Sequence, residues 1–295
     1  MTRTAISPRF AISTLENTVY LPLMSFERAK AALAGTRFAD FRWIEETAST
    51  NADVVEILRT QDPSEDRRPV VLVADHQTAG RGRRDRTWDA PPRSSILMSI
   101  GLPLVAFDAE RWPLINAAVA LACVDAAPDL RVKWPNDLVA AGAGADGSDL
   151  KVGGILSELH RDLGGMGDCV VIGVGLNVNW GQMPEELAAS ATSLDIILEG
   201  EVDADVIASD LLISLDSRWL PRLGRSSSSI DEFLDAYRSR SVTIGRDVRI
   251  ELEGGSELTG RAVDIDASGA LVVDAEDGVR RTITVGDVIH LRPRA

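Results

Sequence analysis

The sequence has few cysteines, histidines and aromatic residues, and each shortage excludes a kind of site. Two cysteines and three histidines occur in 295 residues, and the histidines are too far apart for zinc-ligand spacing. Cys123 and Cys169 stand in apolar surroundings, which predicts buried thiols with no chemical role. Aromatic residues make up only 5% of the chain, so we expect a core of Val, Leu, Ile and Ala.

The chain also lacks long hydrophobic runs and an excess of positive charge. No stretch of 18 apolar residues could span a membrane, and the first residues lack the apolar region of a signal peptide. The 31 basic residues are outnumbered by 45 acidic ones, which gives a net charge of −14. We therefore expect a cytoplasmic protein whose partners include neither nucleic acid nor a membrane, because nucleic-acid affinity comes from many cationic phosphate contacts.

Hydrophobic periodicity divides the chain into an α+β part and a short all-β part. Hydrophobic residues are 45% of the sequence, which is enough for a sizeable core. Residues 1–40 are predicted to be an N-terminal extension that ends in an Ala-rich helix and is too short for a helix-turn-helix domain with a linker. Residues 41–240 are predicted to form the main domain around a mixed sheet, and residues 241–295 a small β-barrel or half-barrel.

Individual elements are predicted from β-branched runs, helical periodicity and turn residues. Strands are predicted at residues 41–46, 69–75, 94–101, 130–135, 151–159 and 168–177, and helices at 112–127, 206–220 and 230–238. Ser49, Thr50 and Asn51 are predicted to cap a helix that follows them. The Gly- and Ala-rich residues 139–149 are predicted to form a flexible loop. Six short strands are predicted in the last domain, the first of them over residues 241–244.

The strongest local feature is a run of arginines and glycines, Gly80-Arg-Gly-Arg-Arg-Asp-Arg86, in an otherwise acidic protein. Glycines let backbone N–H groups approach a ligand, and arginines offer fork-shaped donors to phosphate or carboxylate. The run lacks the Lys-Ser/Thr pair of a P-loop. It predicts that residues 80–88, the arginine loop, close over an anionic ligand, although a solvated basic turn has the same composition.

Three further motifs hold polar groups at predicted strand ends. Lys133-Trp-Pro-Asn-Asp137 offers a lysine, an amide and a carboxylate that could meet a metal-bound phosphate. Lys151-Val-Gly-Gly154 places a cation beside two glycines with open backbone N–H groups. Gly173-Val-Gly-Leu-Asn177 is a weaker signal. Taken singly, each motif has a structural alternative: a turn, an exposed strand-end lysine, or close packing of strands.

Together and in this order, the motifs resemble the biotin–protein ligase family in its short form without a DNA-binding domain. The resemblance covers residues 49–51, 80–88, 133–137, 151–156 and 173–177. It implies a mixed-sheet catalytic domain of the biotin/lipoate ligase, class II synthetase-like type, followed by an SH3-like β-barrel. It also implies two reactions: biotin and MgATP form biotinyl-5′-AMP, and biotin then passes to a lysine of a carboxylase's biotin carboxyl carrier domain.

The resemblance assigns roles residue by residue. Lys151, Arg83 and Arg81 become the candidate catalytic cations. The candidate biotin-binding residues are Ser49, Thr50, Asn51, Gln77, Arg81, Gly82, Arg83, Lys151 and Gly154. The candidate nucleotide-binding residues are Arg83, Arg86, Trp88, Asn136, Asn177 and Arg292, and Asp137 is the candidate ligand of Mg²⁺.

Two alternatives remain, and one residue departs from the family pattern. A lipoate– or octanoate–protein ligase has a related catalytic fold, but the arginine loop together with the Lys133 motif favours biotin. A non-enzymatic nucleic-acid module would use the arginine loop as its footprint, but one basic loop is poor support on an acidic chain. Asp85 stands where the family often has a small residue, which predicts slower loop ordering or weaker retention of the adenylate.

Overall fold

The computed structural model describes residues 26–61, 68–84, 86–165, 167–224, 229–252, 255–284 and 286–290. The first domain is built on seven strands: β1 Asp40–Thr47, β2 Val70–Gln77, β3 Ser95–Pro103, β4 Leu130–Lys133, β5 Asp137–Ala140, β6 Leu150–His160 and β7 Cys169–Asn177. Their order in the sheet is β1-β2-β3-β7-β6-β5-β4. β1 and β2 pair in parallel and all other neighbours pair antiparallel, so the predicted mixed sheet is confirmed.

Helices cover both faces of this sheet. They are α1 Glu27–Leu33, α2 Thr50–Thr60, α3 Trp112–Ala126, α4 Glu185–Ala188, α5 Leu194–Leu198, α6 Ala204–Ser214, α7 Leu220–Leu223 and α8 Ile230–Arg240, with a π-type turn at Leu215–Trp219. Val70 and Leu72 of β2 pack with α2, whereas Val71 and Val73 point into the larger core that contains α3. Because successive strand residues face opposite sides, α2 and α3 lie on opposite faces. Every helix in the described ranges is too short or too polar to span a lipid bilayer.

The described part of the predicted N-terminal extension packs against the first domain. Phe26, Phe38 and Phe41 belong to its core. The backbone N–H groups of Arg28 and Ala29 donate to the Asp205 carboxylate at 2.9 and 2.7 Å, which ties α1 to α6. Residues 26–40 are therefore joined to the domain that follows them, and residues 1–25 lie outside the described part of the chain.

The second sheet has five antiparallel strands, not the six predicted. They are β8 Asp247–Glu251, β9 Glu257–Ile265, β10 Leu271–Ala275, β11 Arg280–Ile283 and β12 Asp287–His290, in the order β11-β10-β9-β8-β12. The predicted strand over 241–244 is wrong: Ser241 makes only an isolated bridge to Val132, and Val242 N–H donates to the Val132 carbonyl at 2.9 Å. This segment follows the edge of the first sheet instead, and the proposed domain boundary between residues 240 and 241 stays a proposal.

The predicted loop over 139–149 is confirmed for residues 141–149, which form no helix or strand, and is wrong at its start, because strand β5 continues to Ala140. The side chain of Asp149 is buried at the boundary with the second sheet. Between them, Gly144 N–H donates to the Ser148 carbonyl at 2.9 Å, which closes a turn. The composition of this segment gave no sign of its distant partners. By contrast, the prediction of buried cysteines is confirmed for Cys123 and Cys169, and burial raises the pKa of the Cys123 thiol to about 12.

Candidate functional site

A cavity of about 380 Å³ opens between the first sheet, the arginine loop and the start of β12. It brings together residues that lie far apart in the sequence. The sequence-predicted site residues that line it are Ser49, Thr50, Asn51, Gln77, Arg81, Gly82, Arg83, Arg86, Trp88, Asn136, Asp137, Lys151 and Gly154. Of the other two predicted residues, Asn177 lies on β7 and Arg292 lies outside the described residues. Asp85 of the arginine loop lies outside the described residues.

One end of the cavity is formed by Ser49, Thr50, Asn51 and Gln77, and we call it the polar end. Ser49 holds the N-cap position of α2, but its side chain makes no capping hydrogen bond, so this detail of the prediction is wrong. Gln77 from β2 replaces it, because its Oε1 accepts from Thr50 N–H at 2.8 Å and from Thr50 Oγ1 at 3.0 Å. The helix start is thus satisfied by a neighbouring strand.

Asn51 and Arg81 meet at a carboxylate that the sequence prediction did not name. Glu158 Oε2 accepts from Asn51 Nδ2 at 2.7 Å and from an Arg81 guanidinium nitrogen at 3.0 Å. On its other side, Asn51 Oδ1 lies 2.6 Å from Ser99 Oγ. The buried amide is therefore held at both ends, and Arg81 is held at the cavity wall.

The arginine loop is closed at its base by backbone hydrogen bonds. Trp88 N–H donates to the Gly80 carbonyl at 2.9 Å, and Gly82 N–H donates to the Arg86 carbonyl at 2.7 Å. A Cβ atom on Gly80 would lie 2.3 Å from the Trp88 carbonyl oxygen, so only glycine fits this close approach. The loop therefore enters and leaves the sheet through a narrow neck that presents its arginines as a group.

Three arginines of the loop share the Asp287 carboxylate at the start of β12. Arg83 and Arg84 each lie 3.2 Å from it, and Arg86 also pairs with it. Arg83 additionally donates to Asn136 Oδ1 at 3.0 Å and to the backbone carbonyl of residue 286 at 3.3 Å. Burial lowers the pKa of the Arg83 guanidinium, while the neighbouring Asp287 charge opposes that shift. The loop thus connects the two sheets across the cavity.

Lys151 and Trp88 form the middle of the cavity. Lys151 Nζ lies 2.7 Å from Asp137 Oδ1 and 5.6 Å from the centre of the Trp88 ring. The ring rests on Gly154 and Gly175, which pair across β6 and β7. A Cβ on Gly175 would lie 2.5 Å from the indole, so the bare strands make the room for it. The arrangement offers a cation, an aromatic face and a carboxylate side by side.

Asn177 is not among the residues that line the cavity. The buried Asn177 donates through Nδ2 to the Thr192 carbonyl at 3.1 Å, and its Oδ1 accepts from Ser95 Oγ at 3.4 Å. These bonds give Asn177 a structural role, and its contact with a nucleotide stays a prediction. Arg292 lies outside the described residues.

Sequence reasoning missed several charged residues of the site. Lys133 and Glu251 also line the cavity, with Asp287, while Glu158 contacts two residues of its wall. Lys133 begins a motif that the sequence analysis singled out, but it was given no role of its own. Glu158 follows the Lys151 motif on the same strand and was also given no role, whereas Glu251 and Asp287 belong to no motif and only the tertiary fold brings them to the arginines. Among the described residues, no group of three or more His, Cys, Asp or Glu side chains is arranged to hold a metal ion.

Comparison with known proteins gives matches over both sheets. Residues 43–177 match the biotin/lipoate A/B protein ligase family, and residues 243–291 match the biotin protein ligase C-terminal domain. A biotin–[acetyl-CoA-carboxylase] ligase of Mycobacterium tuberculosis is 38% identical, over 88% of this chain and 92% of the relative. A ligase with the same description from Paracoccus denitrificans is 30% identical, over 82% of this chain and 97% of the relative.

A solved structure is similar over most of the chain. The biotin protein ligase of Aquifex aeolicus in complex with biotin and ATP aligns with a TM-score of 0.69 and 27% identity. The alignment covers 86% of this chain and all of the other. The likeness extends through the mixed sheet and into the second one, so both parts of the fold agree with the expected architecture of a catalytic domain followed by an SH3-like domain.

Proposed function

Because this chain belongs to the biotin protein ligase family, we propose that its cavity binds biotin and ATP together and performs both half-reactions. The chain is an ATP-dependent biotin–protein ligase. We place the reaction in this cavity because the arginine loop, Lys151 and the polar end all line it. The alternative function, that of a lipoate– or octanoate–protein ligase, loses support because the two similar relatives are biotin ligases.

The first half-reaction joins two anions, and the cavity supplies the charge for it. The carboxylate of biotin attacks the α-phosphorus of ATP, a P–O bond forms, and pyrophosphate leaves. Arg81, Arg83 and Lys151 act as the cations that bring the two anions together and stabilise the charge on the phosphorus oxygens. Lys151 is the central residue, because its Nζ already lies at the cavity's middle, 2.7 Å from Asp137.

The polar end suits the ureido ring of biotin, which both donates and accepts hydrogen bonds. Gln77 Oε1 is occupied by Thr50, so the Nε2 group of Gln77 is the part of this amide that remains for a ligand within the described structure. Ser49 and Asn51 line the same end, and Gly82, Arg83 and Gly154 border the path of the valerate chain. A polar pocket of this kind discriminates against lipoate, whose ring carries no ureido group.

The nucleotide occupies the side of the cavity nearer to the second sheet. Trp88 offers its ring to the adenine, and Arg83, Arg86 and Asn136 lie where the phosphates need donors. The contacts of Asn177 and Arg292 with the nucleotide stay predictions. Mg²⁺ bound to the phosphates of ATP would need only one or two protein carboxylates, and Asp137 would supply one of them. The metal would neutralise charge on the phosphates, while Arg83, Arg86 and Asn136 orient them.

The second half-reaction transfers biotin to a carrier protein. The ε-amine of the acceptor lysine attacks the carbonyl carbon of the biotinyl-AMP anhydride, an amide bond forms, and AMP leaves. The arginine loop covers the anhydride and limits its hydrolysis until the acceptor arrives. We propose a biotin carboxyl carrier domain of a carboxylase as the acceptor, and a cytoplasmic location stays a prediction.

The test is transfer of biotin to an isolated biotin carboxyl carrier domain. The purified chain is incubated with biotin and MgATP, and mass spectrometry measures the acceptor. We expect one biotin on the acceptor lysine, no product without ATP and no product with lipoate. Pyrophosphate release without transfer would contradict the proposed acceptor, and absence of both products would contradict the proposed function.

A further inference from the structure

Glu158 lies on β6 just behind the cavity wall and contacts two residues that line it. A single carboxylate oxygen, Oε2, accepts from Asn51 Nδ2 at 2.7 Å and from Arg81 at 3.0 Å. Asn51 belongs to the polar end, and Arg81 begins the arginine loop. Glu158 therefore joins the two parts of the cavity that the proposed function gives to biotin and to the closing loop.

The bond to Asn51 fixes the orientation of a buried amide. A carboxylate can only accept hydrogen bonds, so the NH₂ group of Asn51 has to face Glu158. Asn51 Oδ1 then faces Ser99 Oγ at 2.6 Å. A Cβ on Gly173 would lie 2.6 Å from that same oxygen, so the amide is packed against bare backbone and has no room to turn. Glu158 thus decides which atoms Asn51 can offer to a ligand.

The bond to Arg81 acts on the base of the arginine loop. Arg81 forms an antiparallel bridge with Thr87, so the position of Arg81 also sets the position of the returning strand of the loop. The Arg81 side chain is 51% exposed, whereas Asn51 is buried. The Arg81 side chain can therefore exchange its bond to Glu158 for a bond to an anionic ligand, while the buried Asn51 side chain stays bonded to Glu158. Because both donors share one oxygen, a change at one alters the hydrogen bond of the other.

We propose that Glu158 is a positioning residue that couples binding of biotin at the polar end to closure of the arginine loop over the nucleotide. The proposal rests on the proposed placement of both ligands in this cavity. Coupling of this kind is reciprocal: biotin tightens nucleotide binding by the same factor by which the nucleotide tightens biotin binding. Glu158 changes that factor without touching either ligand.

The test compares Glu158→Gln with the unaltered protein by calorimetry. The glutamine keeps the shape and can still accept from Asn51, but it loses the charge that holds Arg81. The Kd of α,β-methylene-ATP with Mg²⁺ is measured without biotin and with saturating biotin, because this analogue cannot form the adenylate. We expect biotin to tighten the analogue about tenfold in the unaltered protein and about twofold or less in the variant.

Two further variants separate coupling from general damage to the site. Glu56→Gln removes an exposed ion pair with Arg59 on the same helix as Asn51, and we expect it to keep the full tenfold factor. Arg81→Ala should lose the factor as Glu158→Gln does, and the double variant should lose no more. An unchanged factor in Glu158→Gln would overturn the proposal while leaving the proposed function intact. Failure of the unaltered protein to bind either ligand would overturn the proposed function and this proposal with it.

Discussion

Two of the contacts between the second sheet and the first domain centre on carboxylates, Asp149 and Asp287, and these two junctions differ in their access to water. At the Asp149 junction, the side chains of Asp149 and His290 are only 5% and 10% exposed. At the Asp287 junction, the carboxylate is 16% exposed, but its partner Arg86 is 64% exposed. At the Asp149 junction the carboxylate and the imidazole are shielded from solvent although Arg246 is 39% exposed. The Asp287 junction opens directly into the cavity.

The Asp149 junction forms a closed chain of polar contacts. Asp149 lies 3.1 Å from Arg246 and 3.2 Å from His290 Nδ1. His290 Nε2 lies 3.2 Å from Thr243 Oγ1, which in turn accepts from Trp134 N–H at 3.0 Å. A neutral His290 completes this chain, because its Nδ1–H can donate to Asp149 while Nε2 accepts from the Thr243 hydroxyl. Every member has a protein partner, so this junction holds the two sheets together.

The Asp287 junction is built from groups that a ligand can also use. Its three arginines belong to the loop that lines the cavity, and the two carboxylates that pair with them, Asp287 and Glu251, cannot neutralise all three. The surplus of positive charge stays available to an anion. We therefore expect the buried junction to contribute mainly to stability and the open junction mainly to ligand binding. Each of the following predictions tests this division.

The largest effect is expected at the cavity itself, in Lys151→Ala. Loss of the cation should lower the rate of adenylate formation about 100- to 1,000-fold, as for other single stabilisers of transition-state charge. The Lys151 side chain is 35% exposed, so the free energy of unfolding should change by less than about 1 kcal/mol. Biotin-dependent pyrophosphate exchange and urea unfolding measure the two quantities. Lys30→Ala on α1 is the control, and a near-normal exchange rate in Lys151→Ala would refute its role.

A large loss of stability is expected in Asp149→Ala. Removing one partner of a buried ion pair usually costs about 3–5 kcal/mol, and the 39% exposure of Arg246 reduces the expected loss here to about 2–3 kcal/mol. The KM values for biotin and ATP should change less than about twofold, because Asp149, Arg246 and His290 are not among the residues that line the cavity. Asp274→Ala removes an exposed ion pair with Arg280 in the same sheet, and we expect it to leave the free energy of unfolding almost unchanged. Equal losses of unfolding free energy in the two variants would show that the Asp149 junction contributes no more to stability than an exposed ion pair does.

The same junction should make stability depend on pH. Burial, and the nearby charges of Lys133 and Arg246, lower the pKa of His290 from 6.5 to about 4, although Asp149 opposes the shift. The unfolded chain therefore binds more protons between these values, and stability falls as the pH drops from about 6.5 to 4. We expect His290 to account for about 2 kcal/mol of this fall. His290→Gln should flatten the profile of unfolding free energy against pH, and an unchanged slope would contradict the assignment.

A smaller effect is expected in Asp287→Asn. An amide cannot hold three guanidinium groups, so Arg83, Arg84 and Arg86 should lose their common position at the cavity. The KM for ATP should rise about tenfold, which corresponds to about 1.4 kcal/mol, with little change in unfolding free energy. Steady-state kinetics with varied ATP measure it, and Asp274→Asn is the control. A fall in KM would show that Asp287 competes with the nucleotide instead of positioning the loop.

The sequence was sufficient for elements whose signal is local. The β-branched runs predicted β2 and β7, and the order of short motifs predicted that the arginine loop and Lys151 act together. It failed where distant segments decide the structure. The segment 241–244 alternates like a strand but follows β4, and residues 139–149 look featureless although Asp149 is held by the second sheet.

The same limit applies to the acidic residues of the site. Asp287 and Arg83 are far apart in the chain, and no spacing rule joins them. Glu158 sits in a strand whose alternating pattern would be satisfied by any polar side chain at that position. Arginines and glycines stand out from the composition of an acidic protein, but one more carboxylate among 45 acidic residues does not. Lys151, the loop arginines and Asp137 were therefore predictable, whereas the carboxylates that hold the arginines were not.

The two glycines beneath the Trp88 ring restrict which substitutions this cavity can accept in evolution. Gly154 and Gly175 face each other across two strands, and any side chain on Gly175 would meet the indole ring. A side chain added at Gly175 alone would displace the Trp88 ring, and a smaller ring at position 88 alone would leave a cavity above the two glycines. The shape of this pocket can therefore drift only through paired replacements, one on the loop and one on the sheet.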